Sequence, residues 1–343
     1  MRLRHFHTLK PVCPVCGARG EVRPLTLIDP VMREDDVETG LLACPSPECQ
    51  ATYPILQGAP ILLADLSSWL ASNLHLVLQS DVYHAGVDGL LARALGPDTA
   101  FAVVRQQAAS YGYEHYGDLD PASGCEHTAP GGVRRMAADL LDALPPASGP
   151  SLDLGCAAGR TSFDLADRTL DLVLGIDLNW PLLKIARGVI GQGVARYPHR
   201  RIGNRYEPRI LSAPLDTEGR ADFWVADALN LPFAAGTFRR VMALNLLDCV
   251  SSPTGAVQEA NRILAPGGHM FLATPFDWAP HATPAAAWQD EADLPALVAA
   301  AFSPYPSPLR PAVPPQDIVW RVRLHERSHM HYRCQGMAYK KEG

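Results

Sequence analysis

Residues 151–160 read SLDLGCAAGR. A short apolar run ends on a turn of small side chains and closes on an arginine. Small residues at the end of a buried strand leave room for something to approach the main chain. The helix that follows such a turn presents free backbone N–H groups. In an open parallel sheet this is the place where ligands bind, beyond the carboxyl ends of the strands at the switch point.

The pattern around that turn is an alternation of strands and helices. Strands are expected over residues 151–155, 172–177, 222–227, 240–246 and 268–274. Each run is apolar with little alternation, as in strands buried on both faces. This predicts an α/β chain with a doubly wound parallel sheet. Two later runs, 318–325 and 329–339, are close enough to form a hairpin. A proline-rich stretch, 303–315, is expected to cap a site.

The composition is that of a globular protein, with 47% hydrophobic and 19% charged residues in 343. No apolar run reaches the length needed to span a bilayer, and no signal-peptide core opens the chain. A cytoplasmic protein with no membrane partner is expected. The net charge of −6 argues against a dedicated nucleic-acid binder, but the charge is uneven. Between Lys184 and Arg209 seven basic residues face the single acid Glu207. Most are expected to be a solvated face. In the last strand pair, Arg321, Arg323, His325, Arg327, His329 and His331 alternate with Trp320, Val322 and Leu324. A solvated outer face is the plainer reading; contact with a carboxylate substrate is the sharper one.

Two cysteine pairs stand near the start, Cys13-Pro-Val-Cys16 and Cys44-Pro-Ser-Pro-Glu-Cys49. Four thiolates in two close pairs suit a closed, structural zinc site. Disulfides and unrelated buried cysteines are the alternatives, and a reducing compartment disfavours disulfides. Cys125, Cys156, Cys249 and Cys334 have no partner pattern, although Cys249 lies near the expected reaction centre. The organisation expected is a zinc-bearing module over 1–65, a helical linker and cap over 66–149, and a main domain over 150–343. An insertion fills about 190–221.

The glycine turn has two readings. A dinucleotide fold wants Gly-x-Gly-x-x-Gly for a pyrophosphate on the helix N-terminus. Here Gly155-Cys156-Ala157 breaks that pattern, and Asp153 would repel a pyrophosphate. A carboxylate there suits a ligand with an ammonium group, such as S-adenosylmethionine (SAM). Asp177 ends the second strand, where it can accept hydrogen bonds from ribose hydroxyls, with Leu178 beside it to pack on adenine. Asp227 and Ala228 end the third strand, where a carboxylate can take an adenine amino group. Asn245 ends the fourth, and Pro266-Gly267-Gly268 turns into the fifth. In order and at strand spacing, this constellation resembles the class I SAM-dependent methyltransferases. The resemblance implies a Rossmann-like, mostly parallel, seven-stranded sheet. It assigns SAM binding to Asp153, Gly155, Ala157, Gly159, Arg160, Asp177, Leu178, Asp227, Ala228 and Asn245.

Two further resemblances are narrower. The segments LDLGCAAGRTSFDLA, ALNLLDCV and LAPGGHMFLATPFDWAPHATPAAAW resemble the methyltransferase domain of ovothiol synthases, over about 110–343. That family implies N-methylation of the imidazole of a thiol-bearing histidine. The present chain departs from it by lacking a sulfoxide synthase part and by carrying the cysteine module and the insertion. Tyr53 to Leu63 resembles the ending of small Trm112-like zinc ribbons. Candidate catalytic residues are Asn245, Asp248, Tyr116 and His115; Tyr113, Phe276, Asp277 and Trp278 are candidate walls of an acceptor pocket. Each has a plain structural reading as core, cap or hydrogen-bonding residue. The function expected is methyl transfer to N or S of a small metabolite, such as an imidazole or thiol compound. An RNA methyltransferase using the ribbon and the basic insertion is the alternative, and a non-catalytic SAM-binding partner subunit is a third reading.

Overall fold

Thirteen strands organise the described residues. Four come first: β1 (Thr26–Arg33), β2 (Asp36–Ala43), β3 (Thr52–Leu56) and β4 (Ala59–Leu62). After them come β5 (Ser151–Leu154), β6 (Val173–Asp177), β7 (Val194–Arg200), β8 (Tyr206–Ser212), β9 (Ala221–Ala226), β10 (Phe238–Leu244), β11 (Leu264–Thr274), β12 (Leu309–His325) and β13 (Ser328–Lys341). This computed structural model describes residues 1–78, 99–121, 129–146, 148–215, 218–289 and 292–343. Part of the helical linker and cap expected over 66–149, Cys125 included, lies outside those residues.

Eleven strands share one sheet in the order β1-β2-β3-β4-β9-β6-β5-β10-β11-β13-β12. The centre, β9-β6-β5-β10-β11, is parallel. Every residue of β5 and β9 is buried, which is why these runs lack alternation. The sequence leads to expect seven strands, mostly parallel. The sheet instead has as many antiparallel as parallel neighbour pairs, because β1–β4 join it as an antiparallel meander. The junction is a parallel pairing of β4 with β9, Ile61 opposite Val225 and Leu62 opposite Ala226.

A buried ion pair reinforces that junction. Asp222 at the start of β9 accepts from Arg187 Nη1 at 2.7 Å, from the Arg2 amide at 2.9 Å and from Trp224 Nε1 at 2.8 Å. His5 Nε2 lies 2.8 Å from the Arg220 carbonyl beside it. The first helix, Leu3–Leu9, is thereby fixed to the amino end of the central sheet.

Helices cover both faces. Arg160–Thr169 follows β5, and Trp180–Gln192 follows β6 with Asn179 as its cap, accepting from the Leu182 amide. The helix Ala100–Tyr116 crosses the carboxyl side of the sheet and packs against β7 and β12. The insertion after the second central strand is a hairpin of its own, β7 with β8.

The antiparallel pair β12–β13 sits at the other edge. Its expected start at 318 is too late: Leu309 already pairs with Lys341, and Val313 with Ala338. The second half of the proline-rich stretch is therefore a strand at the amino end of β11, away from the carboxyl edge where a cap would be needed. Beyond the Thr274–Gln335 pair, β12 and β13 pair only with each other, so residues 318–334 form an arm that passes the end of the sheet. On one face of the arm Trp320 and Tyr332 stack, 5.0 Å apart and 25° from parallel.

Candidate active site

A cavity of about 240 Å³ opens where the strand order reverses between β5 and β10. Its walls are the turn 153–157, the ends of β6, β9 and β10, the helix Ala100–Tyr116 and Trp320 of the arm. Asp153, Gly155, Ala157, Asp177, Leu178, Asp227, Ala228, Asn245 and His115 all line it.

The turn is held by its own contacts. Gly155 has φ +77°, Ala157 +49° and Gly159 +82°. A Cβ on Gly155 would stand 2.8 Å from Leu246 Cδ1, and one on Gly159 would stand 2.5 Å from Phe223 Cε1. Gly159 is thus small so that its helix can pack on β9, and it is absent from the cavity wall. Tyr116 Oη donates to the Ala158 carbonyl at 2.7 Å and braces the turn from behind. Arg160 also faces away from the cavity. Its guanidinium bonds both oxygens of Asp118, at 2.9 and 3.0 Å, and the His115 carbonyl at 3.0 Å.

The strand-end acids are each anchored. Asp153 accepts from Thr161 Oγ1 at 2.6 Å and Ser162 Oγ at 2.7 Å, yet burial pushes its pKa up to about 6. Asp177 accepts from the amides of Ala157 and Asn179, both at 2.8 Å, and burial raises it too. Asp227 accepts from the Leu229 amide at 2.9 Å. No lysine or arginine is among the described residues that line the cavity. Three carboxylates therefore surround a space without a counter-charge.

Asn245 sits in the left-handed region at φ +55°, a strained position for a residue at a strand end. Its side chain bears on the Cys334 thiol, and neither amide atom makes a hydrogen bond of good geometry. His115 lines the cavity as a neutral ring. Burial, aided by the charge of Arg160, pushes it down to about 3, and its Nδ1 accepts from the Arg160 amide at 3.0 Å.

The other candidates stand behind or beside the wall. Asp248 is buried, accepts from Thr274 Oγ1 at 3.3 Å, and is pushed up to about 6 by burial and by the Asp277 charge. Phe276, at φ +56°, meets Trp278 edge-on at 6.0 Å. Asp277 accepts from Tyr332 Oη at 2.9 Å. Tyr113 is buried with the Arg323 guanidinium 4.0 Å over its ring. Tyr111, Gln107, Cys249, His281 and Trp320 also line the cavity, and of these the sequence places only Cys249 near the reaction centre. The YGYEHY spacing carries Tyr111 one helical turn before His115, which is the signal that could have found it.

A second and larger cavity, about 710 Å³, lies between β1–β2, the helix Trp180–Gln192 and the insertion hairpin. It shares no lining residue with the first. Several of its cations are already paired: Arg33 with Glu38 at 2.5 Å, Arg187 with Asp222 at 2.7 Å and Arg209 with Asp120 at 3.0 Å.

The four N-terminal cysteines converge. Their sulfurs all lie within 4.8 Å of one another, with Cys13 to Cys49 and Cys16 to Cys44 each at 3.7 Å. A tetrahedral ion with metal–sulfur distances of about 2.3 Å places its sulfurs about 3.8 Å apart, so the donor set fits zinc. Among the described residues this is the one group of three or more potential ligands that gathers in this way.

Residues 152–272 match the family model described as a methyltransferase domain. The matched segment, a methyltransferase domain, carries the turn and the strand ends that line the cavity. Over 160 residues the chain is 29% identical to methyltransferase GfsG of Streptomyces halstedii, covering 46% of its own length and 49% of that protein. Over 192 residues it is 26% identical to an O-methyltransferase of Pyrenophora dematioidea, covering 55% and 64%. The chain thus spans less than two thirds of the length of these curated relatives. Phosphoethanolamine N-methyltransferase 2 of Haemonchus contortus, solved with SAM, is 16% identical with a TM-score of 0.36 over 56% of this chain and 36% of that one. No helix among the described residues of the chain is long and apolar enough to cross a membrane.

Proposed function

We propose that this chain transfers the methyl group of SAM to N or S of a small metabolite, with an imidazole or thiol compound such as a thiol-histidine as the specific candidate. One observation carries the cofactor part. The switch-point cavity has Asp153, Asp177 and Asp227 on its wall and no lysine or arginine among its described lining residues. Such a wall repels a dinucleotide pyrophosphate and favours a ligand of net positive charge.

In this reading Asp153, Gly155 and Ala157 hold the amino-acid end of SAM, and Asp177 takes the ribose hydroxyls. Leu178, 44% exposed, packs on the adenine, whose amino group meets Asp227 and Ala228. Asn245 lies at the sulfonium end. When bound, SAM supplies an already activated methyl group for in-line displacement. The chain's share of catalysis is alignment of the acceptor and removal of water. Tyr116 and Arg160 act through the shape of the turn, since their polar groups are committed to Ala158 and Asp118, and His115 Nδ1 is held by the Arg160 amide.

We also assign a structural zinc to Cys13, Cys16, Cys44 and Cys49, with no catalytic part. The RNA reading is weaker. Two arginines of the insertion are neutralised, Arg201 by Glu326 at 2.8 Å and Arg209 by Asp120 at 3.0 Å. A cell extract supplied with methyl-labelled SAM and the purified protein tests the proposal. Label is expected in the metabolite fraction, and to vanish with Asp177→Ala. Label in RNA would favour the other reading.

A further inference from the structure

The proposed reaction leaves N and S acceptors open, and the far end of the cavity distinguishes them. That end is walled by Trp320, Tyr111 and Cys249. Tyr332 stacks on the outer side of Trp320 and donates its hydroxyl to Asp277 Oδ2 at 2.9 Å. Asp248, next to Cys249, is buried beneath the same loop. These groups feel one another: Tyr332 is raised by burial, then by Asp277 and also by Asp248, and Tyr111 by burial, then by Cys249, Asp177 and Asp248.

Among the described residues no lysine or arginine lines this part of the cavity. Arg160, on the helix after β5, is bonded to Asp118. Arg323, on the arm, covers the Tyr113 ring, with Nη2 2.8 Å from His199 Nδ1. Arg321 and Arg327 are exposed, and Arg321 lies opposite His331 on the arm face turned from Trp320. The carboxylate-binding reading of this strand therefore loses its donors. An anionic thiolate or carboxylate acceptor would enter a region with acids and aromatic rings and no counter-charge. A basic nitrogen meets both attractions at once, ring faces and carboxylates.

Resting on the methyltransferase reading, we infer that the acceptor is a basic amine nitrogen, seated between Trp320 and Tyr111 and drawn in by Asp277 and Asp248. The amine must be unprotonated at the moment of transfer. Its lone pair forms the new N–C bond while the S–C bond breaks, and that electron pair stays on sulfur. The positive charge passes from sulfur to nitrogen, so the acids stabilise the product ammonium. Any N–H proton then leaves to solvent through the exposed Asp277.

The test uses the full chain saturated with S-adenosylhomocysteine. Calorimetry compares choline with its neutral carbon isostere 3,3-dimethylbutan-1-ol and with the anion pivalate. Choline is expected to bind about tenfold or more tighter than the alcohol, with pivalate undetected. Asp277→Asn, at an exposed position, should cut that preference about threefold while S-adenosylhomocysteine binding is unchanged. Equal binding of choline and the alcohol, or tighter pivalate, overturns the amine inference alone. Failure of S-adenosylhomocysteine to bind overturns the methyltransferase reading, and the inference with it.

Discussion

Asp153 shows how a residue can be costly to the fold and useful to a ligand. It is buried, hydrogen-bonded by Thr161 and Ser162, and still raised from 3.8 to about 6. A carboxyl raised above its unfolded value stabilises the fold below the unfolded pKa, and that contribution is lost as pH rises through about 6. At pH 7 the empty site therefore carries a penalty of about 3 kcal/mol at most from this group. Asp153→Asn is expected to raise the thermal midpoint of the ligand-free chain at pH 7 and not at pH 4, while weakening SAM binding. The proposed cation binding runs the other way. It needs the ionised form, so SAM affinity in the native chain should fall as pH drops below about 6, which calorimetry at pH 5 and 7 checks.

Residue identity alone made part of this site legible. Asp153, Asp177, Asp227 and Asn245 stand at strand ends, and the strand period marks them. Trp320 and Tyr111 were not legible as wall residues. Trp320 reaches the cavity only because the β12–β13 arm overruns the sheet, and no local pattern encodes where an overrunning hairpin will lean. The small residues of the turn were read as room for a ligand. That account leaves out Gly159, which is small for the sake of Phe223 and Ala186.

At the scale of elements, β9 is the joint of the molecule. It pairs with β6 on one side and β4 on the other. Asp222 at its start collects Arg187, the Arg2 amide and Trp224 Nε1. Removing one member of a buried pair strands the other charge, at a cost of about 3–5 kcal/mol. Asp222→Ala is expected to lower the denaturant midpoint accordingly, and Arg187→Met added to it should recover part of the loss. A midpoint unchanged by the single substitution would show that the pair does not hold the joint. The central strands were readable because both faces are apolar. Strand β1 was not, because it is exposed along most of its length and carries no burial pattern.

For the whole molecule, the cysteine cluster and the catalytic sheet behave as one body. The Asn230 amide donates to the Pro14 carbonyl at 3.1 Å, and the Val12 amide to the Pro232 carbonyl at 2.8 Å. The cysteine loop thus touches the segment that follows Asp227. Elemental analysis should find one zinc per chain. A chelator strong enough to remove it should lower the thermal midpoint of the entire chain in a single transition. Two separated transitions would mean that the N-terminal module melts alone.

The β4–β9 pairing also sets a clock on synthesis. Ile61 must wait for Val225, so nearly half the polypeptide leaves the ribosome between one strand and its neighbour. Throughout that interval Ala59–Leu62, fully buried in the finished sheet, has an open edge. A nascent chain of this protein spends its early life with an adhesive strand uncovered, and crowding or slow translation would be felt there first.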